Sequence, residues 1–217
     1  MFDPALARRQ MVDSQLRPSR ILDARVIEAM ATVPREAFVP EPLATLAYID
    51  EDIEVVPGRF LMEPRVFARL VQELQIQPDD RVLDVGCTTG YSTAVLARLA
   101  KQVVALEADA ALATRAGQLL SRLGVTNFTT RVGPLPAGAP DLAPFQAILL
   151  EGTVEEVPAK LKEQLAVGGR VGAVVRVAGV GKATILTRHP AGFGAREIMD
   201  AATPLLPGFA RAPGFVF

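Results

Sequence analysis

Hydrophobic positions follow two different periods along this chain, and the change falls near residue 80. Before it, apolar residues recur at helical spacing. Asp3-Pro4 offers an N-cap followed by proline at the first helical position. A second helix is predicted from about Asp23, with Val26, Ile27 and Met30 on one face and Pro34 as its stop. From Pro34 to Gly58 prolines and acids recur without a period, which reads as an ordered loop region. Pro64 then opens a helix that repeats Val66, Phe67, Leu70, Val71 and Leu74, closed by the turn Gln77-Pro78-Asp79-Asp80.

Beyond Arg81, short apolar runs alternate with helical segments. Strands are predicted at Arg81 to Val85, Gln102 to Leu106, Asn127 to Val132 and Phe145 to Leu150, the last apolar enough to be buried on both faces. Helices are expected over Gly90 to Ala100, Asp109 to Leu123, and from Val157-Pro158 to a stop at Val167-Gly168-Gly169. Arg170 to Val177 and Lys182 to Thr187, joined by Ala178-Gly179-Val180-Gly181, read as a β-hairpin. Alternating strands and helices predict an α/β fold with a doubly wound, mostly parallel sheet, an antiparallel edge and an N-terminal helical extension.

Composition narrows the class. A chain of 217 residues fits one domain, 1–217, and buries roughly 70% of the surface its unfolded form exposes. Half of it is hydrophobic and 22% is charged, which excludes a disordered or collagen-like chain. The 23 Lys+Arg against 24 Asp+Glu give a formal net charge of -1, and aromatics make up 6% with no Trp; both disfavour nucleic-acid binding. One cysteine excludes an internal disulfide and a Cys-based zinc site, so no metal is expected. The start MFDPALARRQ lacks a signal-peptide core and no apolar run reaches a bilayer's span, so a cytoplasmic protein is expected, away from membranes.

The chemistry concentrates in Val82-Leu83-Asp84-Val85-Gly86-Cys87-Thr88-Thr89-Gly90-Tyr91. A strand ending in Asp, a glycine turn and a helix start make a ligand site at a strand's carboxyl end. Gly86 permits the tight turn, and Gly90 is expected to let the helix pack close to the strand. Glu107, at the end of the next strand, lies where an acceptor carboxylate would hold ribose hydroxyls. The geometry suits an adenosine-bearing cofactor; an ordinary strand-to-helix turn without ligand is the alternative.

Asp84-Val85-Gly86 with Gly90-Tyr91 and the acid Glu107 resembles the first motifs of class I S-adenosylmethionine-dependent methyltransferases. Arg25-Val26-Ile27-Glu28-Ala29-Met30 and Val33-Pro34-Arg35-Glu36-Ala37-Phe38-Val39-Pro40 are similar to the N-terminal signature of protein-L-isoaspartate O-methyltransferases. Ala47-Tyr48-Ile49-Asp50, Gly58, Ala143-Pro144-Phe145, Val157-Pro158, Leu165 and Gly168-Gly169-Arg170 extend the likeness over roughly residues 10–175. The resemblance implies a Rossmann-like fold with a seven-stranded sheet, a substrate-side region at 1–76 and a cofactor-binding core at 77–217. It implies S-adenosyl-L-methionine as cofactor, held by Asp84, Gly86, Cys87, Thr88, Gly90, Tyr91, Leu106, Glu107, Pro134 and Leu135. It implies methyl-ester formation on the isoaspartyl carboxylates of damaged proteins or peptides. The nucleophile is already ionised at pH 7, so the protein must supply position and hydrogen-bond donors rather than a base.

Here the chain departs from the family. Where the family reads Gln-Thr-Ile-Ser-Gln-Pro, this sequence has Arg59-Phe60-Leu61-Met62-Glu63-Pro64, so Phe60 and Met62 supply no hydroxyl donor and no catalytic residue is assigned. Glu63 is either an inward carboxylate that repels substrate or a solvent-facing helix cap, and Arg59 either a carboxylate partner or a solvated loop residue. Thr88 replaces the family's middle glycine, Gly133-Pro134-Leu135 replaces Gly-Asp-Gly, and Glu151-Gly152-Thr153 replaces Thr-Ala-Ala. Cys87 reads as a small packed residue, or as a thiol whose pKa a helix N-terminus lowers, and His189 as a surface residue. Two functions stay open: an enzyme with an altered acceptor site, for isoaspartyl protein or another acceptor, and a catalytically silent binding or regulatory subunit. A homodimer is a further expectation, and the sequence leaves open whether residues 190–217 cover the site.

Overall fold

A computed structural model describes residues 2–210; residues 211–217 of the C-terminal stretch that could cover the site lie outside the described residues. Helix α1 (Pro4–Met11) starts where the Asp3 carboxylate accepts from the Ala5 and Leu6 amides, and a π-helical turn continues it over Val12–Leu16. Asp23 caps α2 (Ala24–Thr32) in the same way, burying Val26, Ala29 and Met30. Ile27, placed on the same face by the sequence, is only partly buried.

The expected loop from Pro34 to Gly58 holds more order than its prolines suggest. Two 3₁₀ turns, Arg35–Phe38 and Glu41–Leu46, lead into strand β1 (Ile53–Val56), which pairs antiparallel with β2 (Arg59–Leu61). Alternation of Ile53 and Val55 with polar Glu54, followed by the Gly58 turn, is the signal beneath that irregularity. Helix α3 (Pro64–Leu74) buries the predicted stripe of Val66, Phe67, Leu70, Val71 and Leu74.

The remaining elements are β3 (Arg81–Val85), α4 (Tyr91–Ala97), β4 (Gln102–Glu107), α5 (Ala110–Arg122), β5 (Phe128–Val132), β6 (Phe145–Val154), α6 (Ala159–Glu163), β7 (Leu165–Val177), β8 (Val180–His189) and β9 (Gly192–Asp200). Seven strands form one sheet in the order β5-β4-β3-β6-β7-β8-β9, parallel from β5 to β7 and antiparallel beyond. Val167-Gly168-Gly169 is not a helix stop. Helix α6 ends earlier, and the register jump from Phe145↔Leu165 to Ala147↔Arg170 makes these residues a bulge inside β7. Strand β9, largely exposed, has no apolar period by which sequence could mark it.

Two apolar layers sandwich the sheet. Val82, Val103, Ala147 and Leu149 face the layer that includes α2, α3 and α4, while Leu83, Val85, Val104, Leu106, Ile148 and Leu150 face the other, which Leu206 and Phe209 complete. The chain reverses direction of travel between β3 and β6, so the carboxyl ends of β3, β4 and β6 frame a crevice of the kind in which open α/β sheets bind ligands.

Candidate functional site

The floor of that crevice is the turn after β3. Asp84 is fully buried; its Oδ2 accepts from Ser92 Oγ at 2.7 Å and Thr93 Oγ1 at 2.6 Å, both from α4. Burial pushes its pKa up to about 6, against the two hydroxyl bonds, which favour the ionised form. Gly86 turns with φ +82°, and the Gly86 and Cys87 amides both donate to the Leu106 carbonyl. Gly90, at φ +96°, corrects one expectation: a Cβ there would sit 3.2 Å from Leu120 Cδ1 and 3.3 Å from Ala116 Cβ, so its smallness admits α5 rather than β3. Tyr91 is buried between Phe38 and Phe67, beneath the Arg35 guanidinium at 4.7 Å from the ring centroid. Thr89 Oγ1 donates to the Phe38 carbonyl at 2.6 Å, tying the N-terminal region to the turn.

The rim is occupied by the chain itself. Arg59, on β2, is a buried arginine rather than a solvated one, and its partner is Glu107. The two groups meet bidentately, Nη1 on Oε1 and Nη2 on Oε2 at 2.7 Å, while Nη2 also donates to the Gly86 carbonyl at 3.2 Å. The Thr88 amide donates to Glu107 Oε2 at 3.0 Å, and the Ala108 and Asp109 amides donate to Oε1 at 2.7 and 3.2 Å. Above Gly86, a Cβ would lie 2.8 Å from Leu206 Cδ1, 3.3 Å from Arg59 Nη2 and 3.6 Å from Leu135 Cδ1. Leu206 belongs to a segment bound to β6: the Thr153 amide donates to the Pro204 carbonyl and the Leu206 amide to the Thr153 carbonyl, both at 2.8 Å. The Thr153 hydroxyl adds a bond to the Thr203 carbonyl at 2.6 Å. What remains between Asp52, Arg59, Met62, Glu151 and Leu206 is a hollow of about 10 Å³, room for one water at most.

The other predicted positions distribute as follows. Met62 is buried, and its carbonyl accepts from Arg35 Nη2 at 2.7 Å; Phe60 is half-buried beside the hollow. Glu63 does not cap α3 with its side chain; the carboxylate lies 3.5 Å from Arg65, and burial raises its pKa. Cys87 is buried and the thiol's pKa is pushed up, first by burial and then by Asp84 and Glu107, so the lowered-pKa alternative is overturned. Leu106 and Leu135 are buried, Pro134 precedes a 3₁₀ turn, and His189 is exposed at the end of β8. Glu151, buried at the end of the crevice, has its pKa raised well above the carboxylate range by burial and Asp84, and its Oε1 finds no partner among the described residues. Sequence reasoning assigned no such place to Arg35 or Leu206, although Arg35 stands within the Val33 to Pro40 signature, and it marked Glu151 as a departure from the family's Thr-Ala-Ala. Among the described residues no group of three metal-ligating side chains occurs, and no helix is long and apolar enough to cross a membrane.

Sheet order, the Asp84–Gly90 turn and the acid ending β4 define a Rossmann-like fold of the methyltransferase kind. Within that class, the chain belongs to the protein-L-isoaspartate O-methyltransferase family: the model of Protein-L-isoaspartate(D-aspartate) O-methyltransferase matches residues 7–189. A protein-L-isoaspartate O-methyltransferase of Roseiflexus sp. (strain RS-1) is 45% identical over 170 residues, 78% of each chain. Another, from Methylorubrum extorquens (strain PA1), is 41% identical over 214 residues, 97% of this chain and 92% of that protein. Two solved structures share the fold. A protein-L-isoaspartate O-methyltransferase superposes with a TM-score of 0.80 at 22% identity over 93% of this chain and 66% of that one. A putative one from Plasmodium falciparum, in complex with S-adenosyl-L-homocysteine, gives 0.79 at 21% over 92% and 97%.

The family's methyl donor is S-adenosylmethionine, and its substrates are isoaspartyl-containing proteins. The floor of the crevice suits such a nucleoside. The rim, in the conformation described, leaves it no room: Arg59 holds the Glu107 carboxylate, and Leu206 fills the space over Gly86.

Proposed function

We propose that this protein is a divergent S-adenosylmethionine-dependent methyltransferase of the isoaspartyl type, working in the cytoplasm with an altered acceptor loop. Residues 1–76 form its acceptor side and 77–217 its cofactor side. The retained turn from Asp84 to Gly90 carries this reading, since Asp84 is buried and tied by two hydroxyls where the fold places ligands. The acceptor, a carboxylate ionised at neutral pH, asks only for positioning and donors. Phe60 and Met62 provide neither hydroxyl nor amide, and the loop's buried guanidinium faces Glu107 rather than an incoming carboxylate.

Turnover on an isoaspartyl peptide, followed by transfer of a labelled methyl group, is therefore expected to fall below that of relatives that keep the hydroxyls. Met62→Ser combined with Glu63→Gln should raise it by roughly tenfold, the value of one recovered hydrogen bond. Wild-type turnover equal to that of the hydroxyl-bearing relatives would refute the claim of an altered loop. A second reading, a catalytically silent subunit, is favoured by the filled crevice. Under it neither the wild type nor the double variant transfers a methyl group.

A further inference from the structure

We propose that the nucleoside crevice of this chain carries its own intramolecular ligand, so that S-adenosylmethionine or S-adenosylhomocysteine enters only by displacing Arg59 and the segment from Thr203 to Phe209. The inference rests on the reading of the crevice as a nucleoside site. Glu107 is fully engaged: two guanidinium nitrogens and three backbone amides share its two oxygens. A ribose diol would have to compete with a bidentate, charge-assisted pair that is held at no translational cost. Arg59 stands where the family pattern has a glutamine, which is neutral and shorter. The volume above Gly86 is taken by Leu206, 2% exposed, which with Phe209, 5% exposed, closes the apolar layer on that face of the sheet. Four hydrogen bonds through Thr153 moor the segment.

The plug does not match its floor. An apolar leucine lines the same hollow as Glu151, a buried carboxyl group with an oxygen that has no partner among the described residues; Asp84, in the floor, likewise keeps one such oxygen. Buried polar atoms are normally satisfied. Two unpartnered buried oxygens, one of them in the hollow that Leu206 lines, mark a floor shaped for a polar occupant and a cover that competes for it. The apparent affinity for the nucleoside is then lowered by the fraction of molecules with the crevice open.

Calorimetric titration of the full chain with S-adenosylhomocysteine tests this, using wild type, Leu206→Ala, Arg59→Gln and the double variant. Each opening substitution should tighten binding, with the double variant at least about thirtyfold tighter than wild type. Labelling of Cys87, the sole cysteine and buried in the turn, by a thiol reagent gives a readout that needs no nucleoside. It should be slow in wild type, roughly tenfold faster in the double variant at a temperature well below its melting point, and slowed again by saturating S-adenosylhomocysteine. Leu206→Ala alone serves if the double variant does not fold. Equal affinities and equal labelling rates across the series would overturn the proposal while leaving the cofactor reading intact. Faster labelling with no nucleoside binding in any variant would support self-closure and sink the cofactor reading instead.

Discussion

The floor and the rim of the crevice lie within a few ångströms of each other and answer to different constraints. Asp84, Gly86 and Gly90 are held by the fold itself: the first by Ser92 and Thr93, the second by a turn at positive φ, the third by the approach of α5. Arg59, Leu135 and Leu206 surround the space above Gly86. Floor residues therefore persist as long as the fold does, whereas rim residues can be exchanged for ones that bind each other. A glycine-turn signature reports the floor. Occupancy is decided at the rim.

The sharpest way to break this comparison is to remove the one group that serves both. Glu107→Ala would strip three amides of their acceptor and leave the Arg59 guanidinium, 8% exposed, without its carboxylate. Loss of one partner from a buried pair costs about 3–5 kcal/mol, so urea unfolding should show a drop of that size. If Arg59 belongs to the rim, Arg59→Met with Glu107→Gln should recover most of it, because an uncharged pair of similar volume removes the stranded charge. A drop below about 1 kcal/mol in the single variant would mean that the pair is solvated, and the crevice open, in solution.

The pH dependence of stability that Asp84 itself contributes probes the floor. The Asp84 carboxyl has a pKa of about 6, raised chiefly by burial, against an unfolded value near 3.9. A raised acid binds its proton more tightly in the folded state, so its stabilising effect is complete below about pH 4 and is lost as pH rises through 6. The full loss amounts to about 3 kcal/mol. Glu151, also raised by burial, acts in the same direction. Wild type minus Asp84→Asn, measured by urea unfolding from pH 4 to 8, should therefore decline with pH. A flat difference would show that Asp84 is hydrated, and its two hydroxyl bonds the dominant influence.

Most of the floor was legible in the sequence and most of the rim was not, for a physical reason. The stripe from Val66 to Leu74, the apolar run of β6 and the Asp84 turn are local signals, each readable within about a dozen residues. Arg59 and Glu107 are 48 positions apart, and Leu206 meets Gly86 across most of the chain, so nothing in either segment announces the other. Arg59 could be singled out as a carboxylate partner that compensates for the lost hydroxyls, but its actual partner, Glu107, is fixed only by tertiary contact with the end of β4. The β7 bulge was misread for the converse reason: Gly168-Gly169 is a local helix-stop signal that tertiary pairing with β6 overrides. Gly90 was legible as a required glycine and illegible as to its neighbour, since Ala116 and Leu120 come from the following helix.

The smallest effect falls on the residue at the border between floor and rim. Thr88 sits at φ +54°, where a β-branched side chain is strained by about 1–2 kcal/mol. Thr88→Gly would release that strain, and its amide would still donate to Glu107. Against this stand the hydroxyl bond to the Gly86 carbonyl at 2.9 Å, worth about 1 kcal/mol, and the extra freedom of glycine in the unfolded chain, about 0.5–1 kcal/mol. The contributions nearly cancel, so thermal and urea unfolding should place the variant within about 1 kcal/mol of wild type. That near-neutrality is what a rim position permits: the side chain can go without the turn collapsing. A loss above about 2 kcal/mol would move Thr88 into the floor, with its hydroxyl rather than Gly86 setting the turn.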